Sequence, residues 1–188
     1  MVEDWEKLNS EEVANYRIFK MRRDRRRSPR TGAEHSFFVL ESPDWVNVVA
    51  LTPDEQVVMI HQFRHGTAEI TLEIPGGMVD PHEHDPAKAA RRELLEETGY
   101  VAEEVIHIGT VHPNPAFLNN RCDTYLALNA RWQQTPQFDG AEDIAVALIP
   151  IEKIARLIGN GRITHALVVA AFYHYENYLR LKLDMDKH

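Results

Sequence analysis

The sequence predicts an α/β fold in which a mixed central sheet is sandwiched between helices, preceded by a small N-terminal antiparallel sheet. Three observations predict it. Apolar strand-like runs stand on both sides of one well-capped helix, a long amphipathic helix closes the chain, and two further strand patterns occupy a compositionally distinct region before residue 44. At 188 residues the chain accommodates one domain with a sizeable core and a small appendage, whereas two full domains would be cramped. Residues 1–44 are therefore expected to form an N-terminal β region and residues 45–188 the main domain.

In order, residues 13–21 read as a strand, followed by the basic run Arg22-Arg23-Asp24-Arg25-Arg26-Arg27-Ser28-Pro29-Arg30 and a second strand at 36–41. The run between two strand patterns reads as a solvated turn; a nucleic-acid arm and a charge lent to a neighbouring subunit's site are the alternatives. Residues 45–52 and 56–63 are apolar runs separated by Pro53-Asp54, a turn signal, and read as paired strands. A strand at 70–74 leads into Gly76-Gly77. Beyond residue 100, strands are expected at 105–112, 122–129 and 144–151, with a Pro- and Asn-rich loop at 113–121 and a long polar loop at 133–143. A short helix at 152–158 ends at Gly159. The last helix, 165–181, repeats Leu167, Val168, Ala171, Phe172, Tyr175, Tyr178 and Leu179 at three and four, which is a core-facing stripe.

The central helix is the most informative element. Asp85 supplies an N-cap oxygen, Pro86 has no amide to leave unpaired, and Gly99 suits the left-handed position past the end, so the helix should run over 86–98. Glu93 lies three and four residues from Glu96 and Glu97, on neighbouring ridges of one face, and Arg92 reaches Glu96 at a spacing of four. Like charges so placed cost a helix about 0.2–0.5 kcal/mol per pair, so their company needs a reason. A solvated acidic face is one; a hard divalent cation, Mg²⁺ or Mn²⁺, is another, since it takes carboxylate, carbonyl and water oxygens and Gly76-Gly77 lets backbone approach closely.

A formal net charge of -8, from 21 Lys and Arg against 29 Asp and Glu, argues against a general nucleic-acid or acidic-membrane binder. No run of about 18 apolar residues and no signal-peptide pattern is present, so no membrane partner and a cytoplasmic location are expected. One cysteine, Cys122, excludes an intramolecular disulfide and a cysteine-rich zinc site, and the ten histidines lack zinc-motif spacing.

The stretch from Glu73 to Tyr100 resembles the signature of the Nudix hydrolases, Gly-x5-Glu-x7-Arg-Glu-hydrophobic-x-Glu-Glu-x-Gly-hydrophobic, through Gly77, Glu83, Arg92, Glu93, Leu94, Glu96, Glu97, Gly99 and Tyr100. One residue is extra: His84 to Arg91 puts eight residues between Glu83 and Arg92, and the insertion is placed in the loop before Asp85. Gln62-Phe63-Arg64-His65-Gly66, Leu72 to Gly77, Asn114-Pro115-Ala116 and Glu142-Asp143-Ile144 extend the similarity to the ADP-ribose and nucleoside-diphosphate-sugar pyrophosphatases. The resemblance implies a Nudix-type α-β-α sandwich and Mg²⁺ as cofactor, with Mn²⁺ able to substitute. It implies metal ligation by the Gly76 carbonyl, Glu93, Glu96 and Glu97, substrate contacts from Arg64, Glu73 and Pro115, and a catalytic set of Glu142, Arg92 and Glu96. It implies a homodimer whose N-terminal sheets help build each other's sites, with Tyr16, Phe19, Phe37, Phe38 and Trp45 as candidates to stack a base. Glu142 is the expected general base because the polar loop 133–143 supplies a carboxylate away from the metal ligands, with Asp139 and Asp143 in reserve.

The leading expectation is a Mg²⁺-dependent pyrophosphatase giving a nucleoside monophosphate and a sugar phosphate. A Nudix hydrolase for dinucleoside polyphosphates or capped RNA is opposed by the charge and the Asn114-Pro115-Ala116 loop. A non-catalytic binding domain is opposed by the presence of all three helix carboxylates.

Overall fold

The computed structural model describes residues 1–138 and 143–185, which fall into two compact units, Met1–Asp44 with His112–Arg121, and Trp45–Val111 with Cys122–His188. In the first unit, β1 (Glu6–Asn15), β2 (Lys20–Arg27) and β3 (Glu34–Glu41) form an antiparallel sheet in the order β1-β2-β3. The expected strand at 13–21 with a basic turn after it is corrected: the basic run is itself the central strand. The reason is charge pairing across the ladder. Arg23 meets Glu11, Arg27 meets Glu6 and Glu34 at 2.9 and 3.2 Å, and Arg22 meets Glu41. On the face that Arg22 shares, Asp24 is fully buried and accepts from Ser10 at 2.7 Å and from Arg22 and Arg26 at 3.1 Å. Burial pushes its carboxyl up, but these three partners outweigh burial and hold it below the usual carboxylate range. The arginines thus find acidic partners within their own sheet, which removes charge as a reason to assign them to another subunit. The segment His112–Arg121, with Pro115, joins this unit through Phe117 O accepting from Leu40 N at 2.8 Å and Asn120 Nδ2 donating to Pro43 O at 3.0 Å.

Among the described residues the second unit holds three sheets. The mixed one has the order β7-β4-β10-β9, from β7 (Gly76–Met78), β4 (Trp45–Ala50), β10 (Cys122–Leu128) and β9 (Glu104–Val111). Its parallel pair is β4 with β10, running from Trp45 opposite Cys122 to Ala50 opposite Ala127. A second sheet, β12-β5-β6, is antiparallel and consists of β12 (Ile144–Pro150), β5 (Gln56–Arg64) and β6 (Glu69–Glu73). The two short strands β8 (Tyr100–Val101) and β11 (Arg131–Trp132) pair with each other. The expectation that 45–52 and 56–63 pair with one another is corrected. Only Leu51 and Val57 bridge at the Pro53-Asp54 turn, and each strand then finds two other neighbours. Val48 to Ala50 of β4 and Val57 to Ile60 of β5 are apolar on both faces, so these stretches are buried inside their own sheets.

Alternation along these strands divides the core in two. Val46, Val48, Ala50, Val58, Tyr125 and Ala127 pack with Ala89, Ala90 and Leu94 of α1 (Pro86–Thr98). Val49, Leu51, Val57, Met59 and Leu126 pack instead with Val168, Ala171 and Phe172 of α3 (Ala166–Met185) and with Ile154 of α2 (Ile154–Gly159), which a 3₁₀ turn at Ile151–Lys153 precedes. That is helix, sheet, helix, as expected. Leu179, expected in the α3 stripe, is 40% exposed, because the last turns of α3 run past the buried stretch ending near Tyr178. Among the described residues no helix is long and apolar enough to cross a membrane.

Candidate active site

The caps set α1 where the sequence places it. Asp85 Oδ1 accepts from Ala87 N at 3.0 Å, Pro86 opens the helix, and Gly99 at φ 75° donates its amide to Leu95 O at 2.8 Å. With its ends fixed, α1 presents Ala89, Ala90 and Leu94 to the core and buries two carboxylates beside them, Glu93 at 8% and Glu97 at 4% exposure. These face β7. Glu97 Oε2 accepts from Gly76 N at 2.8 Å, while a Cβ built on Gly77 would stand 2.4 Å from Glu93 Oε1. A Cβ on Gly76 would instead meet Val46 O at 2.3 Å. The two glycines therefore do different work: Gly76 admits the neighbouring strand, Gly77 admits a carboxylate. Gly77→Ala should leave the fold in place, since the clash is with the end of a flexible side chain, yet displace Glu93 and cut turnover by about 10- to 100-fold. Wild-type turnover in a folded Gly77→Ala protein would show that Glu93 is not needed there.

Arg92 is the hub of the outer face. It forks onto Glu83, Nε to Oε1 at 3.0 Å and Nη2 to Oε2 at 2.9 Å, and reaches Glu93 Oε1 at 2.8 Å, Glu96 Oε2 at 3.1 Å and Met78 O at 3.0 Å. Glu83 also accepts from Asp80 N at 3.0 Å. The Arg92 fork holds the Glu83 carboxyl below its usual range, and Glu83 in turn pushes the guanidinium well up. So the extra residue before Asp85 is absorbed in the loop, and Glu83 reaches Arg92 regardless. Part of the reason for clustered carboxylates is also internal, since Arg92 supplies positive charge to Glu93 and Glu96.

A second ion pair spans the antiparallel pair β5 and β6, from the last residue of one strand to the last residue of the other. Arg64 forks onto Glu73, Nε to Oε1 and Nη2 to Oε2, both at 2.8 Å, and Thr71 Oγ1 donates to Oε1 at 2.5 Å. Glu73 is 2% exposed while the Arg64 side chain is 40% exposed, so the pair has a buried anion and an outward cation. Burial pushes the Glu73 carboxyl up, but Arg64 and Thr71 overcome this and hold it low. Thr71 was not among the sequence candidates; its signal is position, two residues before Glu73 and therefore on the same face of β6.

The chemistry of this donor set fits a hard divalent cation: Glu93 and Glu97 are buried oxygen donors against a glycine cradle, and Glu96 lies half-exposed at their edge. With Arg92 engaged as it is, no three His, Cys, Asp or Glu side chains among the described residues converge as a ready cage. Glu142 and Asp139 lie outside the described residues, and Asp143 is exposed. The loop leading to them is tied to α1: Gln133 N and Gln134 N donate to Gly99 O at 2.8 and 3.3 Å, and Gln137 N donates to Glu96 O at 2.8 Å. Pro115 belongs to the first unit.

The family model of the NUDIX domain matches residues 41–172. The chain is similar to an ADP-ribose pyrophosphatase of Mycobacterium tuberculosis, 30% identical over 168 residues covering 89% of this chain and 81% of that protein. It is also similar to an ADP-ribose pyrophosphatase of Bacillus subtilis, 28% identical over 145 residues, 77% of this chain and 76% of the other. A crystal structure of an ADP compounds hydrolase superimposes with a TM-score of 0.84 at 21% identity over 97% of each chain, a likeness of fold.

Proposed function

Since this chain belongs to the NUDIX domain family and is a Nudix hydrolase, we propose that it hydrolyses ADP-ribose or a related nucleoside diphosphate sugar to a nucleoside monophosphate and a sugar phosphate, with Mg²⁺ as its metal. The observation that carries this is the assembled motif, with Arg92 bonded at once to Glu83, Glu93 and Glu96 while Glu97 holds the Gly76 amide. The names of the relatives support the substrate class.

In this reading Glu93, Glu96, Glu97 and the Gly76 carbonyl hold the cation. When bound, it neutralises pyrophosphate oxygens and lowers the pKa of a water. Arg92 keeps Glu93 and Glu96 at fixed spacing from Glu83. Arg64, anchored by Glu73, turns its outer edge to a phosphate through charge-assisted hydrogen bonds. Glu142 takes the proton of the attacking water as its oxygen bonds to phosphorus, and the anhydride P–O bond opposite breaks.

The reading is tested with ADP-ribose, ADP-glucose, GDP-mannose and UDP-glucose, each with Mg²⁺ and with Mn²⁺, followed by a phosphatase that releases phosphate from monoesters only. Phosphate should appear from ADP-ribose or another of the four, fastest with Mg²⁺. No release from any of them overturns the substrate class.

A homodimer is part of the proposal. Val13, Tyr16, Ile18, Phe37 and Phe38 leave apolar side chains exposed on the first unit, which supports a partner there and is consistent with the stacking role assigned to its aromatics. Light scattering that returns the mass of one chain, about 21.7 kDa, refutes it.

A further inference from the structure

We propose that His165 is a positioning residue for the substrate-binding arginine: it closes the cage around Glu73 and so fixes the Arg64 fork while capping α3 with its other nitrogen. The inference rests on the reading of Arg64 as a phosphate contact.

His165 stands immediately before α3 and acts as its N-cap. Its carbonyl accepts from Val168 N and Val169 N at 3.0 and 3.1 Å, and its Nδ1 accepts from Leu167 N at 3.2 Å. Histidine is an unusual cap, since the short side chains of Ser, Thr, Asp and Asn do this more simply. The second nitrogen supplies a reason for it. With Nδ1 accepting, the neutral ring carries its proton on Nε2, and Nε2 lies 3.8 Å from Glu73 Oε2. Burial, helped by nearby Arg64, pushes the His165 ring below its usual range despite Glu73, which favours that neutral form.

Glu73 then has Arg64 of β5, Thr71 of its own strand and His165 around its carboxylate. Oε1 takes Arg64 Nε and Thr71, and Oε2 takes Arg64 Nη2 and faces His165. The first turn of α3 is held to β4 as well, because Asn47 Nδ2 donates to Leu167 O at 3.3 Å. Groups from β5, β6 and the residue that precedes α3 therefore meet at the carboxylate that aims Arg64, and β4 holds the first turn of α3 in place. A buried carboxylate with open space beside it would be free to tilt, and the guanidinium would tilt with it; the His165 ring, 3.8 Å from Oε2, limits that freedom by its position and adds no positive charge to compete with Arg64.

The two nitrogens are separable by substitution. His165→Asn places an amide oxygen where Nδ1 accepts, so it keeps the cap, but it is too short to reach Glu73. His165→Gln reaches Glu73 with its amide and is a poor cap. Arg64 holds the pyrophosphate in the ground state and transition state alike, so loosening it raises KM with kcat little changed. His165→Asn should therefore melt like the wild type and show a KM for ADP-ribose raised roughly 5- to 20-fold at unchanged kcat. His165→Gln should recover most of that KM and melt roughly 2–4 °C lower, as expected for a lost cap. Wild-type KM in His165→Asn, or losses in both variants that simply follow melting temperature, overturn the proposal. The ¹⁵N shifts of the imidazole give an arm independent of turnover. They should show the Nε2–H tautomer and should move in Glu73→Gln. An Nδ1–H tautomer, or shifts indifferent to Glu73→Gln, refutes the cage even if ADP-ribose is not the substrate, whereas a correct tautomer with no turnover of any nucleotide sugar refutes the functional reading alone.

Discussion

Glu97→Gln should abolish nearly all turnover, by roughly two orders of magnitude or more, in a protein that folds as the wild type does. The two halves of that expectation come from different properties of one side chain. Glu97 is 4% exposed and accepts the Gly76 amide at 2.8 Å, and a glutamine oxygen can accept the same bond, so the β7 to α1 contact survives. What the amide cannot supply is negative charge. A hard cation in the Gly76-Gly77 cradle loses an anionic donor, and a neutral oxygen replaces it in a buried position where the lost charge is least screened. Circular dichroism and melting temperature should match the wild type while the rate at saturating Mg²⁺ collapses. A purified variant with near wild-type turnover would remove Glu97 from the metal site.

Glu142→Gln should lower the turnover number by roughly 10² to 10⁴ with metal and substrate affinity nearly unchanged, the usual worth of a general base. The helix carboxylates are poorly placed for proton transfer because one oxygen of each is already bonded, Glu93 and Glu96 to Arg92 and Glu97 to the Gly76 amide, and the cation assigned to them takes up their remaining capacity. The base has to come from another segment. The loop that carries Glu142 is bonded at Gln137 to the Glu96 carbonyl, so its stem starts at the carboxylate end of α1. A full-rate Glu142→Gln enzyme would return the base to the helix, where Glu96 has the most exposed carboxylate of the three and is the one to substitute next.

How much of this was legible in the sequence differs by element, for physical reasons. The bounds of α1 were readable because its signals are local: Asp85, Pro86 and Gly99 act on amides and dihedrals within one turn. The strands around it were readable as apolar runs. Their partners were not, since pairing is settled by which sheet can bury both faces of β4 and β5, and the Pro53-Asp54 turn joins two strands that then part. The basic run misled for a related reason. Six residues of Arg22 to Arg27 look solvated in one dimension, and their partners Glu6, Glu11, Glu34 and Glu41 become visible only once β1 and β3 lie alongside. In the site, the Arg92–Glu96 contact follows from helical spacing, whereas the Arg92 fork onto Glu83 depends on how the preceding loop folds back, and the Arg64–Glu73 fork, nine residues apart in sequence, depends on the hairpin register that sets Arg64 opposite Glu69.

The strap along the end of α1 links order in two segments. Helix ends leave carbonyls without internal partners, and here Glu96 O and Gly99 O are answered by the amides of Gln137, Gln133 and Gln134. The last turn of the helix and the strap should therefore open together, with similar amide protection in hydrogen exchange. Under the proposed assignment of Glu96 and Glu97 as metal ligands, order in the strap and occupancy of that site should be reciprocally linked.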